Sequence, residues 1–142
     1  MFDGLDNEPQ AIFVAPVDLV RWADAVRPHL ARMAGESGGR YETPDIFVAL
    51  AMGKMQLWLV LDGALVECVM VTEIQKYPRM RALRIIGLVG FRPLRWRKML
   101  ASVEKAARDN LHCTVIEAMH LPRLGVLLPG FKTTHWFGEK VL

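Results

Sequence analysis

A chain of 142 residues, 52% of them hydrophobic, is about one domain's worth of sequence and excludes general disorder. Eighteen Lys and Arg against fifteen Asp and Glu leave a formal charge of +3, which permits an anionic ligand without demanding nucleic acid. No apolar run approaches the roughly 18 residues needed to cross a bilayer, and Met1 is followed by Asp3 and Asp6 rather than by a basic signal start. The expectation is a cytoplasmic protein with no membrane insertion. The first ten residues are polar and read as a loose segment, with a single domain over 11–142.

Ala11–Ala15 carries the β-branched and aromatic content of a short strand. Pro16 and Asp18 open a helix whose apolar stripe is Leu19, Val20, Ala23, Val26, Leu30 and Met33. Pro28 lies inside that stripe and is expected to kink or divide the helix. A glycine-containing loop, "AGESGGRYE", follows. Thr43 as N-cap and Pro44 at the first helical position predict a short helix to Met52, with Ile46, Phe47, Leu50 and Ala51 inward and Gly53 stopping it. "QLWLVLDG", "ALVECVMVTEIQ" and "MRALRIIGLVG" read as three strands. Asp62-Gly63 turns between the first two, Tyr77-Pro78 ends the second, and sequence adjacency makes all three antiparallel neighbours.

The helix from about Leu94 to Asn110 has the clearest two-sided pattern. Trp96, Met99, Leu100, Val103, Ala106, Ala107 and Leu111 mark its apolar side; Arg97, Lys98, Glu104, Lys105, Arg108 and Asp109 mark the other. "CTVIEAMH" is the next strand, and strand–helix–strand across Ala82–His120 implies a parallel pair. Pro122–Leu128 reads as a short helix or turn, and "GFKTTHWFGEKVL" supplies a last strand or a broken pair. Cys68 and Cys113 lie far apart in apolar strands and read as buried free thiols. His29, His112, His120 and His135 have no ligand spacing, so no metal site is expected.

The strand and helix order, carried by "LWLVLDGALVECVMVTEI", "YPRMRALRIIGLVG" and "VIEAMHLPRLGVLLPGF", resembles the GCN5-related N-acetyltransferase (GNAT) superfamily. The closing "LPGFKTTHWFGEKVL" is similar to the end of small phage-encoded acetyltransferase-like proteins. The resemblance implies an α/β fold: a mixed, mainly antiparallel central sheet flanked by helices. It also implies a pyrophosphate loop between the fourth strand and the long helix, where backbone N–H groups hold acetyl-CoA at the helix N-terminus. Here that stretch is "GFRPLRWRK", which makes Phe91, Arg92, Leu94, Arg95, Trp96 and Arg97 the cofactor-binding candidates. It departs from the family pattern: Gly90 precedes the turn, Pro93 has no N–H, and Leu94 and Arg95 bring side chains where close backbone approach is wanted. Arginines and Lys98 replace some backbone contacts with cations.

Acetyl transfer to an amine needs a proton acceptor beside the thioester. Glu73, Glu117 and His120 are the catalytic candidates. Glu67 and Glu73 lie six apart and share a face if strand alternation is unbroken. Glu117 sits in the strand after the long helix, and an ion pair to an arginine is its alternative role. His120 closes that strand, at an end where α/β folds place ligands. The resemblance also implies a tyrosine beyond the fifth strand, and the two tyrosines, Tyr41 and Tyr77, both precede it. Arg79, Arg81 and Arg84 with the later "RPLRWRK" read as one positive rim. The departures favour an acetyltransferase-shaped protein without catalysis and without a bound cofactor. It would be a structural or interaction component of a phage or phage-like particle, with protein partners or self-assembly. The alternatives are an N-acetyltransferase using acetyl-CoA on a small or protein amine, and a basic nucleic-acid module. Apolar surface near Phe131, Trp136, Phe137 and Val141–Leu142 would mark an assembly face.

Overall fold

The computed structural model describes residues 10–90, 93–118, 130–131 and 139–142. The elements run β1 (Gln10–Val14), a 3-10 turn (Pro16–Asp18), α1 (Leu19–Gly35), α2 (Thr43–Ala51), β2 (Met55–Asp62), β3 (Leu65–Lys76), β4 (Arg81–Gly90), α3 (Pro93–Asp109) and β5 (Val115–Ala118). The strands form one sheet in the order β1-β2-β3-β4-β5. The first three pairings are antiparallel, and β4 pairs with β5 in parallel across the α3 crossover. The expected meander and crossover are both present, so the α/β class with a mainly antiparallel sheet holds. Among the described residues no helix is long and apolar enough to cross a membrane.

Each sheet face has its own core. Val26, Leu30 and Met33 of α1 and Ile46 and Leu50 of α2 pack on Leu57, Leu59, Val69, Val71 and Val89. Met99, Leu100, Val103 and Ala107 of α3 pack on the opposite face, against Trp58, Met70, Leu83 and Ile85. Cys68 and Cys113 are free and buried, as read. The central strands are buried on both sides, which is why they read as nearly unbroken apolar runs.

Four local expectations are corrected. Pro28 does not divide the helix: α1 is continuous through it. Pro28 and Asp24, whose carbonyl loses its helical partner, are both exposed, so water can solvate that carbonyl while Val26, Leu30 and Met33 hold the inner side. Val20, assigned to the inner stripe, is 84% exposed. Thr43 is the first helical residue rather than the cap. Glu42 takes the cap, and its N–H donates to the Asp45 carboxylate at 2.8 Å. Gly53, at φ 73°, ends that segment as expected. The two-residue loop between β2 and β3 is Gly63-Ala64, one residue later than read, because Asp62 still pairs with Leu65.

Two bulges shape the sheet. Val60 pairs with Cys68 and Leu61 with Val66, leaving Glu67 as an extra residue on β3. Val71 pairs with Gly87 and Thr72 with Ile85, leaving Ile86 as an extra residue on β4. A bulge bends its strand and increases the local twist. The ladder between β4 and β5 runs from Ala82↔Val115 to Ile85↔Ala118, so its last described pair lies immediately before the β4 bulge.

Candidate functional site

Glu73, Arg84 and Glu117 are register partners on three neighbouring strands. Adjacent strands lie about 4.8 Å apart, so the three form one row across the sheet. Arg84 Nε donates to Glu117 Oε1 at 2.9 Å, with both side chains 22% exposed. Tyr77 follows β3 in a turn whose N–H donates to the Met80 carbonyl at 2.9 Å. Its hydroxyl donates to Glu117 Oε1 at 2.7 Å and accepts from Arg84 Nη2 at 3.1 Å. Desolvation works against the Arg84 charge, but the hydrogen bond and charge of Glu117, helped by Tyr77, outweigh it and raise the guanidinium's pKa. Glu117 is therefore held by the ion pair that sequence reading offered as its alternative role.

Glu73 is placed differently. Its carboxylate accepts from the neutral Gln75 amide. Above it lies Tyr41, delivered by the connection between α1 and α2. The Tyr41 N–H donates to Ser37 Oγ at 3.1 Å, and the Ser37 hydroxyl donates to the Ala34 carbonyl at 2.7 Å, which anchors the connection to the end of α1. Burial first, and the negative charge of Glu73 second, push the Tyr41 phenol above its ordinary pKa against the pull of Arg84 and Arg40. Arg40 reaches Glu139 near the chain end at 2.6 Å.

The other sequence candidates separate. Glu67 is 7% exposed and sits in the β3 bulge. Six residues of strand, about 20 Å, divide it from Glu73, so the two do not share one site. His120, Phe91 and Arg92 lie outside the described residues. So do Trp136, Phe137, His135 and the Pro122–Leu128 segment. Leu94, Arg95, Trp96 and Arg97 belong to the first turns of α3, not to a loop, because the helix starts at Pro93. Proline suits a first helical position: its missing N–H is one that no helix can satisfy internally. The amides of Leu94 and Arg95 are then unbonded donors of that turn. The single positive rim is also corrected. Arg81 and the α3 start lie at opposite ends of β4, about 30 Å apart, and strand alternation puts Arg81 and Arg84 on opposite faces. Of the described residues of the predicted assembly face, Phe131 packs against the α3-side core, while Val141 and Leu142 are exposed. No cluster of His, Cys, Asp and Glu among the described residues could hold a metal.

No protein-family model matches the chain, and no curated protein does. Solved structures do. A probable acetyltransferase superposes with a TM-score of 0.71 at 12% identity, over 94% of this chain and 96% of that one. A GCN5-related N-acetyltransferase from Ralstonia eutropha gives 0.65 at 15% identity, over 94% and 98%. The fold is that of the GCN5-related N-acetyltransferases. A predicted acetyltransferase from Clostridium acetobutylicum, solved with acetyl-CoA, gives 0.63 at 14% identity, over 94% and 96%. On the GNAT fold, the Tyr41–Glu73–Arg84–Glu117 row lies beside the lower half of β4, and the bulge divides it from the half that leads to α3. Tyr77 is the residue that sequence reading set aside: it precedes β4 in sequence, yet its hydroxyl reaches β5.

Proposed function

We propose that the chain binds acetyl-CoA along the upper half of β4 and transfers the acetyl group to a primary amine held at the Glu73–Arg84–Glu117 row. The observation that carries this reading is the Ile86 bulge in β4, with α3 starting three residues after the strand's end. The residues present fit the cofactor. Beyond the bulge, Gly87–Gly90 carry no charged side chain and lead to α3, whose first amides suit a pyrophosphate. Of the sequence arguments against cofactor binding, the missing N–H of Pro93 loses its force at a first helical position.

Acetyl-CoA supplies an activated thioester. The chain's own groups select and prepare the amine. Two carboxylates and one guanidinium give the row a formal charge of −1, which attracts an ammonium ion. Glu73, whose described hydrogen bond is to a neutral amide, takes the proton from the acceptor nitrogen. Arg84 and Tyr77 hold Glu117 in place beside the acceptor.

Calorimetric titration with acetyl-CoA tests the binding step, and thiol release against a panel of amines tests the transfer. Micromolar binding with backbone amide shifts at Gly87–Gly90 and Leu94–Trp96 is expected. Glu73→Gln should lower kcat about 100-fold with the cofactor affinity unchanged, the size of a lost general base. Absence of binding at near-millimolar concentrations would sink this reading.

One observation favours a second reading, an interaction component without catalysis. Val17 in the 3-10 turn, Val20 on α1, Val48 on α2 and Met52 just after it are 82%, 84%, 57% and 62% exposed. Sedimentation of the wild type against Val20→Glu/Val48→Glu tests it: a self-association that the double variant abolishes, with no acetyl-CoA binding, supports the second reading.

A further inference from the structure

The face of the sheet under α3 ends in a groove that the proposed acetyl transfer touches only through Glu73. Lys54, Gln56, Ile74, Lys76, Arg81 and Glu73 line an open volume of about 470 Å³ there. It lies at the start of β4, a strand's length from the α3 N-terminus.

A buried relay fixes what Gln56 presents to this groove. Trp58 Nε1–H donates to Thr72 Oγ1 at 2.9 Å. An indole nitrogen can only donate, so the Thr72 hydroxyl accepts there and spends its own proton on Gln56 Oε1, also at 2.9 Å. The Gln56 carbonyl oxygen is thus committed inward, and its NH₂ must point the other way. Trp58 and Thr72 are 4% and 0% exposed, so the relay has no alternative partner in water. Gln56 is itself 8% exposed, lines the groove, and its Nε2 has no hydrogen-bond partner among the described residues. With its oxygen committed to Thr72, the Gln56 side chain offers the groove a donor and no acceptor.

The charges around it point to an anionic acceptor. Lys54, Lys76 and Arg81 against Glu73 leave the lining a formal +2. Arg81 is braced by its Nε, which donates to the Leu111 carbonyl at 2.8 Å, and its two terminal nitrogens are left for a ligand. We propose that this groove binds the oxyanion of a small molecule, a phosphate or a carboxylate, through the Gln56 amide, Arg81 and the two lysines. The Glu73 charge on the lining favours a singly charged group over a polyphosphate.

The test is a titration of the uniformly ¹⁵N-labelled full chain with inorganic phosphate and, separately, with acetate, at ionic strength held constant with sodium chloride. Saturable shifts are expected at the Gln56 side-chain amide and at the Trp58 indole N–H, which feels the ligand through Thr72. The anion that saturates at the lower concentration identifies the group as phosphate or carboxylate. Lys54→Ala/Lys76→Ala, at two exposed positions, should weaken binding at least tenfold. Gln56→Glu, which keeps an oxygen for Thr72 and replaces the donor with a second oxygen, should abolish it. Shifts that stay linear with both anions, an unchanged affinity in the lysine double variant, or shifts confined to Leu94–Trp96 would overturn the proposal. Binding at the groove and binding of acetyl-CoA are read at opposite ends of β4, so either can fail alone.

Discussion

The two halves of β4 behave as different materials. Arg81–Ile85 is hydrogen-bonded to β3 on one side and, from Ala82, to β5 on the other, and it carries the charges: Arg84 between Glu73 and Glu117, and Arg81 facing the opposite way. Gly87–Gly90 carries no charged side chain, pairs with β3, and leads within three residues to a helix N-terminus. One inserted residue, Ile86, separates them. The lower half can recognise a ligand only through side chains, because its backbone is consumed by two neighbours. The upper half has no charged side chain, and the helix start beyond it supplies backbone donors. Side-chain chemistry leaves a trace in sequence, and backbone chemistry leaves almost none.

The largest expected effect comes from breaking the support beneath the boundary. Thr72 pairs with Ile85, the last residue of the lower half, and is the middle of the Trp58–Thr72–Gln56 relay. Thr72→Val strands an indole donor and an amide oxygen in the core. At about 1–3 kcal/mol for each of the two unsatisfied groups, a loss of about 2–6 kcal/mol is expected in denaturant unfolding. Gly87→Ala strikes the upper half: a Cβ there would stand 2.7 Å from Met33 Sδ and 2.8 Å from its Cγ. Met33 is 6% exposed and must repack, so about 1–3 kcal/mol should be lost. Met33→Ala in the same chain should recover part of it; a double variant no better than the sum of the singles would show that the close approach of α1 is not the cause. Glu117→Gln touches only the lower half. It removes the charge partner of a partly buried arginine and should cost about 1–2 kcal/mol by thermal unfolding, with cofactor binding unchanged.

The same division explains what could be read from the residues alone. The meander and α3 were legible because their apolar residues repeat at the period of the element, and the parallel β5 followed from the strand–helix–strand order. Glu73 and Glu117 stood out as single carboxylates in apolar strands. Their meeting through Arg84 did not, because it depends on two registers, one of them offset by the Ile86 bulge. Nothing in "RIIGLVG" marks which residue will be extra. Tyr77 was passed over for its place before β4, when a four-residue turn brings it back to β5. Pro93 misled in the other direction. Its missing N–H counts against an anion site only in a loop, and the helix start was expected one residue later.

The smallest effect tests whether the connection between α1 and α2 closes over the charged row. Tyr41 is raised above its ordinary 10.0 by burial and then by Glu73, with Arg84 and Arg40 opposing. The folded value lies above the unfolded one, so the folded state holds the phenolic proton more tightly. The stability this contributes is fully present below about pH 10 and is lost as pH rises through the folded value. The chain has two tyrosines, so Tyr77→Phe leaves Tyr41 as the sole source of the phenolate absorbance. Its midpoint in that background should lie above 10.0. Adding Glu73→Gln should move the midpoint down, since a raising charge is gone, and Arg40→Ala should move it up. If Glu73→Gln leaves it unmoved, Tyr41 is raised by burial alone. The row would then be open to water above Glu73, and the amine would be selected by the sheet without help from the connection.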